Sequence, residues 1–369
     1  MKNIPFIDLK AQYRSIQAEI NSVVLQVLQQ GDFILGEEVS LFEREFSAYC
    51  ETLFGAGVAS GTDALSLALR ACEIGRGDEV ITSAHTAIAT LVGIESTGAR
   101  PILVDIQAGA FTIDPSKIES SITSNTRAII PVHLYGSPAE LTPILEIARR
   151  FDLYVIEDCA QAHGALYRNK KVGSWGDLSA FSFYPTKNLG AYGDAGMVLT
   201  SRKDLHERLL PLRQYGWRER YVSDKRGTNS RLDNLQAAIL RVKLGHLDEW
   251  NRRRMQIAET YHRGLSGIDI ALPITPENST HAYHQYVIRS KRRDSLRAHL
   301  LDQSIGTSIH YPVPPHLQPA YRDLGYAGGD FPNCELAARE IISLPIHPEL
   351  SDTDVEYVCN AIRDFYLTN

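Results

Sequence analysis

The sequence has no long apolar segment, and neither a signal-peptide pattern nor paired cysteines are seen in it. Each apolar run meets a charge or a turn signal well before the ~18 residues that a membrane span needs. The opening MKNIPFIDLKAQYRSIQ has no basic stretch followed by an apolar run, as a signal peptide would. The five cysteines are an odd number and form no C-x-x-C pair, which argues against a disulfide framework or a thiolate metal site. We therefore expect a cytoplasmic protein with reduced thiols and no membrane partner.

An excess of positive charge is also missing. The 369 residues carry 38 lysines and arginines against 44 acidic residues, which gives a net charge of −6 and a pI near 6.1. This balance argues against a nucleic-acid partner and against an anionic membrane surface. With 44% hydrophobic residues the chain can bury a large core, and its length indicates two or three domains.

Short apolar runs alternate with helical stretches in the first half of the chain. The runs typical of buried strands are residues 78–84, 100–106, 127–136 and 153–160. The stretches between them, TLVGIESTGA, DPSKIESSI and PAELTPILEIARRF, are typical of helices. The alternation predicts an α/β fold with a mostly parallel sheet and helices on both faces. Ligands bind at the carboxyl ends of such strands, so residues 84–86, 158–161 and 182–187 are candidates for a site.

The alternation of short apolar runs with helical stretches ends at about residue 205. Residues 231–265 form a long amphipathic helical pattern with an apolar stripe, and shorter elements and the proline-rich YPVPPHLQP follow. We expect two units. Residues 1–250 would hold an N-terminal segment and a large domain, and residues 251–369 a smaller α+β domain.

The stretch SGTDAL (60–65) places small residues and a threonine directly before a helical run. Free backbone amides at a helix start bind phosphate well, and a glycine lets the ligand approach closely. The same pattern is typical of an ordinary helix cap formed by Ser60 or Thr62, and taken alone it favours the cap.

A carboxylate, Asp158, ends the strongly apolar strand of IEDCAQAHGA (156–165). A buried acid is costly without a partner, so it would cap a helix, bind a metal or pair with a protonated ring nitrogen. His163 makes a metal conceivable, but Asp-x-x-x-x-His is not a recognised ligand spacing, and we predict no metal site.

The third stretch, FYPTKNLGAYGDAG (183–196), holds a single lysine, Lys187, in a loop between two buried segments. Its glycines match neither the P-loop nor the Rossmann spacing. A lysine withdrawn from water has a lowered pKa and acts as a neutral nucleophile, whereas a solvated lysine is only a surface charge. This stretch alone does not decide between the two.

Together the three stretches fit pyridoxal phosphate. The lysine would form an imine (Schiff base) with the cofactor, the strand-end aspartate would hold the pyridine nitrogen protonated, and the helix start would take the phosphate. The combination, rather than any one motif, indicates this cofactor.

The motifs SGTDAL, EDCAQAHGA, FSFYPTKNLGAYGDAG, YGWRERY, NSRLDNLQAAIL and IHYPVPPHLQP resemble those of the DegT/DnrJ/StrS-type nucleotide-sugar aminotransferases. The resemblance covers nearly the whole chain. It implies the fold-type I architecture of pyridoxal-phosphate aminotransferases: a large domain with a mostly parallel sheet flanked by helices, and a smaller C-terminal α+β domain. It also implies a homodimer with active sites at the subunit interface.

The resemblance assigns cofactor roles to individual residues. Lys187 matches the Schiff-base lysine and Asp158 the partner of the pyridine nitrogen, while Gln161 matches a residue near the phenolic oxygen of the cofactor. The residues that match phosphate contacts are Gly61, Thr62 and Ser182, with Asn229 reaching in from the other subunit.

One position departs from the family pattern. Many relatives place an aromatic residue where Ala87 stands in SAHTA, to stack on the pyridine ring, and His85 is then the expected stacking ring. Candidates for substrate contact, each equally able to be a packed core or loop residue, are His163, Tyr184, His310 and Tyr311.

The implied reaction is a two-stage transamination from glutamate to a nucleotide-linked keto-sugar. The residues HTAIAT, YPTKNLGA and YGWRERYVS look most like the branch that aminates C3 of dTDP-linked 3-keto-6-deoxyhexoses, giving a dTDP-3-amino-3,6-dideoxyhexose. The alternatives are amination at C4 and a non-catalytic regulator with the same fold.

Overall fold

The computed structural model describes residues 3–367. The helices are α1 Leu9–Ser15, α2 Gln17–Gln30, α3 Glu37–Tyr49, α4 Gly61–Ala71, α5 Ile88–Glu95, α6 Leu141–Phe151, α7 Lys203–Leu212, α8 Asn234–Gly264, α9 Arg293–Asp302, α10 Pro332–Glu340 and α11 Asp352–Leu367. The strands are β1 Phe54–Val58, β2 Glu79–Ser83, β3 Arg100–Val104, β4 Thr126–Ile130, β5 Tyr154–Asp158, β6 Leu166–Tyr167, β7 Lys170–Lys171, β8 Leu178–Ser182, β9 Gly196–Thr200, β10 Trp217–Glu219, β11 Val222–Ser223, β12 Ser279–Thr280, β13 Tyr286–Arg289 and β14 Ile341–Leu344. Among the described residues, no helix is long and apolar enough to cross a membrane.

A seven-stranded sheet forms the centre of the molecule, in the order β1-β9-β8-β5-β4-β2-β3. The strands from β8 to β3 pair in parallel, and β9 runs antiparallel to both of its neighbours. The predicted mostly parallel sheet is therefore confirmed. The carboxyl ends of β2, β4, β5 and β8 lie at one edge of the sheet, where ligands bind in folds of this kind.

Both faces of this sheet are covered, which explains why its strands read as continuous apolar runs. Successive side chains of a strand point to opposite faces. In β5, Ile156 packs with α4 and α7, whereas Val155 packs with α6. In β8, Ala180 lies on the α4 side and Phe181 on the side of α3 and α8.

Two predicted elements differ from the structure. The strand expected at 127–136 ends at Ile130, because Pro131 has no N–H to donate and the chain then turns, with Tyr135 in the left-handed region at φ 60°. The helix expected in DPSKIESSI is two short 3₁₀ turns, with the Asp114 side chain accepting from the Ser116 N–H at 3.0 Å. So short a segment gains too few helical bonds to offset the cost of starting a helix.

A second core lies in the C-terminal part of the chain. It combines the end of α8 with the β13–β14 pair, α9 and α11, and it also includes Ile4 near the N-terminus. The long helix α8 crosses residue 250 without interruption. The division into residues 1–250 and 251–369 stays a prediction.

We predict that Gly196→Ala will lower the free energy of unfolding by about 1–3 kcal/mol. A Cβ at Gly196 would lie 2.3 Å from the Ser60 carbonyl oxygen, so β9 and the start of α4 would have to move apart. Urea unfolding followed by circular dichroism measures the change.

The matched control is Gly245→Ala in α8, where an added Cβ has nothing within 4 Å. Alanine is the better helix former, so this variant should be unchanged or more stable by up to about 1 kcal/mol. Equal effects of the two substitutions would contradict the steric argument.

Candidate active site

A cavity of about 250 Å³ opens at the carboxyl edge of the sheet. It brings together the three stretches singled out in the sequence. The predicted site residues that line it are Gly61, Thr62, Asp158, Gln161, Ser182, Tyr184 and Lys187.

The start of α4 forms one wall of this cavity. The Ser60 side chain caps the helix by accepting from the Asp63 N–H at 3.1 Å, as an ordinary N-cap does. The first N–H groups of a helix have no acceptor within the helix, and here the helix begins at Gly61. A Cβ at Gly61 would lie 2.5 Å from Ser182 Cβ, so only glycine allows β8 and α4 to meet. The helix start and Ser182 together form a cradle with the chemistry of an anion site.

The Asp158 carboxylate lies at the end of β5 and is held by two donors. The Thr90 hydroxyl donates to Oδ2 at 2.9 Å, and the Ala160 N–H donates to Oδ1 at 3.1 Å. Because Thr90 gives its only proton to Asp158, the Thr86 hydroxyl must donate to Thr90, at 2.8 Å. Burial raises the pKa of Asp158, and these donors and the Lys187 amine oppose the shift. The carboxylate is thus positioned to receive a cationic or protonated group.

Lys187 lies in the loop after β8 and lines the same cavity as Asp158. Its backbone N–H donates to the Tyr184 carbonyl at 2.8 Å, which closes a tight turn. Burial lowers the pKa of the Lys187 amine to about 8, and the nearby Asp158 charge opposes that shift. The lowered pKa raises the fraction of neutral amine, which is the nucleophilic form, above that of a solvated lysine.

Buried polar side chains fix the loop that carries Lys187 (residues 183–190), which we call the lysine loop. The Asn188 amide donates to Asn251 Oδ1 and to the Ala282 carbonyl, both at 2.9 Å. The Lys243 amine donates to the Gly190 carbonyl at 2.7 Å. The sequence analysis missed Asn188, Asn251 and Lys243. The only local signal was an asparagine directly after the lysine, and its partners lie more than 60 positions away.

Gln161 joins the cavity to a distant segment. Its Oε1 accepts from the Tyr135 N–H at 2.7 Å, and its Nε2 donates to the Tyr311 hydroxyl at 3.2 Å. Tyr311 does not line the cavity itself, but this bond places its hydroxyl next to a residue that does.

An amine, a buried carboxylate and a helix-start cradle around one cavity fit pyridoxal phosphate, and the comparisons with known proteins agree. The profile of the DegT/DnrJ/EryC1/StrS aminotransferase family matches residues 14–363. The chain belongs to this family.

Individual relatives match along their whole length. A dTDP-3-amino-3,4,6-trideoxy-alpha-D-glucose transaminase of Streptomyces venezuelae is 47% identical, over 98% of this chain and 96% of the relative. A pleiotropic regulatory protein of Geobacillus stearothermophilus is 46% identical, over 99% of each chain. The crystal structure of S. venezuelae DesV in complex with a ketimine intermediate superposes with a TM-score of 0.97 at 47% identity, covering 99% of each chain. The fold-type I class and pyridoxal phosphate as cofactor are thereby confirmed.

Besides Tyr311, four of the predicted site residues in this aminotransferase lie away from the cavity lining. The His85 ring is buried and its Nε2 bonds the Tyr135 hydroxyl at 2.7 Å. His163 packs among phenylalanines, and burial lowers its pKa to about 3. His310 Nδ1 bonds Ser343 Oγ at 2.9 Å, and Asn229 is exposed beside Gln214. The roles expected for these residues stay predictions.

A buried histidine, glutamate and cysteine lie together behind Asp158. The Glu157 carboxylate accepts from the N–H groups of Gly173, Trp175 and Gly176 at 2.8–2.9 Å and bonds His133 Nε2 at 3.0 Å. His133 Nδ1 accepts from the Ala139 N–H, so Nε2 carries the proton and donates. These hydrogen bonds thus hold the loops at 133–139 and 173–176 against β5.

We predict that the stability difference between the cofactor-free wild type and Lys187→Met will depend on pH. The folded-state pKa of about 8 lies below the ordinary 10.5, so the unfolded chain binds the proton more readily between these values. Wild-type stability therefore rises with pH across this window, and the variant lacks that gain. After a discount for partial exposure, the wild type should gain about 2 kcal/mol on the variant from pH 7 to pH 10.

Urea unfolding at each pH measures this difference. Lys203→Met, at an exposed lysine of α7, controls for the general loss of a positive charge. A difference between wild type and Lys187→Met that stays constant with pH would contradict a buried amine at this position.

Proposed function

We propose that this aminotransferase transfers an amino group from glutamate to C3 of a dTDP-linked 3-keto-6-deoxyhexose, giving a dTDP-3-amino-3,6-dideoxyhexose. The observation that carries the proposal is the single cavity shared by the Lys187 amine, the Asp158 carboxylate and the start of α4. The choice of C3 and of dTDP is supported by the S. venezuelae relative, whose name gives an amino group at C3 of a dTDP-linked deoxyhexose.

The cavity residues would hold the cofactor in one orientation. Its phosphate would lie at the helix start, against Gly61, Thr62 and Ser182. At the opposite end Asp158 would accept from the protonated pyridine nitrogen, with Gln161 near the phenolic oxygen. When bound, pyridoxal phosphate supplies an electron sink for the carbanion left by deprotonation.

Lys187 has two tasks in this proposal. Its Nζ would hold the cofactor, and as a free neutral amine it would take a proton from the α-carbon of the donor and, in the second half-reaction, give a proton to C3 of the sugar. The lowered pKa of Lys187 suits the second task, because a base must be unprotonated to accept a proton. Asp158 would keep the ring nitrogen of the cofactor protonated in both half-reactions.

The sugar nucleotide would enter past Tyr184. This side chain lines the cavity yet is 53% exposed, so it lies at the mouth. The bond between Gln161 and Tyr311 places Tyr311, and with it the adjacent His310, next to a residue of this cavity. The ring of His163 packs among phenylalanines and lies outside the cavity lining, which favours its alternative role as a packed core residue.

Activity measurements with two substrates test the proposal. We expect glutamate and a dTDP-3-keto-6-deoxyhexose to give a new amine on C3, located by NMR, and a 4-keto isomer to react poorly. An amine formed only at C4 would contradict the regiochemistry. Lys187→Ala should lose the absorbance band of the lysine-bound cofactor and lower kcat by about 10³-fold or more.

A regulatory role is the second candidate, favoured by the name of the G. stearothermophilus relative. A regulator that only binds sugar nucleotides has no need of a nucleophilic lysine. Binding without any lysine-dependent turnover would therefore support the regulator over the enzyme.

We also propose that the enzyme is a cytoplasmic homodimer. Five buried free thiols suit a reducing compartment.

The dimer proposal rests on an exposed apolar surface that extends from α2 and the loop after it to the β10–β11 hairpin. Ile34 of the loop and Trp217 of the hairpin line one surface groove. We call this area the α2–hairpin surface; its exposed apolar residues are Leu25, Leu28, Phe33, Ile34, Tyr221 and Val222. Gln214, the bridge partner of Asn229, lines the same groove, so Asn229 lies where it could reach a partner's cavity.

We predict that analytical ultracentrifugation will give about twice the chain mass of 41.1 kDa. The double variant Leu25→Asp/Leu28→Asp should shift the protein toward monomer, because it places charges in a buried apolar interface. Leu301→Asp, at a leucine of α9 that is also exposed, is the control. A wild-type monomer, or dimers unaffected by the double variant, would contradict this interface.

A further inference from the structure

Tyr135 connects four of the predicted site residues, although neither the motifs nor the proposed reaction assigns it a role. It lies in the loop after β4, is fully buried, and has a left-handed backbone that a tyrosine rarely adopts. Its N–H donates to Gln161 at 2.7 Å, and its carbonyl accepts from the Gln285 N–H at 3.2 Å. The loop is therefore fixed on both sides by backbone bonds.

The hydroxyl of Tyr135 lies between a histidine of the large domain and the segment that holds two substrate candidates. It bonds His85 Nε2 at 2.7 Å and donates to the His310 carbonyl. A carbonyl can only accept, so the single hydroxyl proton points to His310 and His85 must donate. This fixes the tautomer of His85 with the proton on Nε2. Burial lowers the pKa of His85 to about 4, which keeps the ring neutral and leaves Nδ1 unprotonated.

We propose that Tyr135 is a positioning residue, which sets the position of His310 and Tyr311 over the cavity through the directed chain from His85 Nε2–H to the Tyr135 hydroxyl to the His310 carbonyl. The proposal rests on the proposed function, in which His310 and Tyr311 contact the sugar. Gln161 provides the link to Tyr311. It accepts from the Tyr135 N–H and donates to the Tyr311 hydroxyl.

Tyr135→Phe isolates the hydroxyl. The ring contacts with Phe111 and His85, with centroids 5.4 and 6.0 Å apart, do not need the oxygen, and neither do the backbone bonds to Gln161 and Gln285. The variant should therefore bind cofactor and show the absorbance band of the lysine-bound cofactor as the wild type does. Only the hold on His310 and the acceptor for His85 are lost.

The test measures the two half-reactions of the holoenzyme separately by stopped-flow absorbance. For Tyr135→Phe we expect the half-reaction with glutamate to be unchanged and the KM for the keto-sugar to rise about tenfold, the loss typical of a buried hydrogen bond. Tyr261→Phe, which removes a buried tyrosine bond to the Pro345 carbonyl far from the cavity, should change neither half-reaction. Equal losses in both half-reactions, or no loss in either, would overturn the proposal.

A second readout does not depend on turnover. In wild-type protein labelled with ¹⁵N-histidine, NMR should show His85 as the neutral Nε2–H tautomer, and Tyr135→Phe should shift that resonance. Finding the proton on Nδ1 in the wild type would refute the directed chain even if the variant failed to fold. Should the wild type show no lysine-dependent band and no reaction with glutamate, the proposed function fails, while the tautomer still reports on the chain.

Discussion

A half-buried lysine amine and a buried carboxylate share one cavity, and each lowers the cost of placing the other's charge there. Burial alone would neutralise both groups, because it lowers the pKa of Lys187 and raises that of Asp158. Their mutual attraction opposes both shifts. Removing either one leaves the other as an uncompensated charge away from water, which is costly. The rest of the site serves to keep these two groups at the same edge of the sheet.

The parallel direction of β5 and β8 brings the two groups together. Asp158 ends β5 and Lys187 follows β8, and these strands are parallel neighbours, so both groups come to one edge. The bonds from α8 then hold the lysine loop, through Asn251 to Asn188 and through Lys243 to Gly190. A nucleophile held in this way loses little freedom when it reacts, which is the entropic advantage of a preorganised site.

The sequence predicted the parts of the site that depend on local chemistry. Strands β2, β3 and β5 lie within two residues of the predicted bounds, because strands buried on both faces leave uninterrupted apolar runs. Asp158 was identified because a carboxylate at the end of such a run needs a partner. The bonds of Gln161 to Tyr311 and of Asn188 to Asn251 span 150 and 63 positions, and no local pattern encodes them. Tyr135 is missed for another reason. The predicted strand at 127–136 runs through the turn that contains this residue, and that turn is set by tertiary contacts.

The chemical residues and two of the substrate candidates, His310 and Tyr311, come from different parts of the chain. Lys187, Asp158 and Thr90 belong to the sheet edge and its flanking helices, where any movement would disturb the paired charges. Tyr184 is exposed at the mouth, and His310 and Tyr311 belong to a segment more than a hundred positions away. Such segments can change with little effect on the sheet edge, so one fold can serve many sugars with the same chemistry. The segment with His310 and Tyr311 must keep a fixed position relative to the sheet edge. The hydrogen bonds of Gln161 and Tyr135 connect the two.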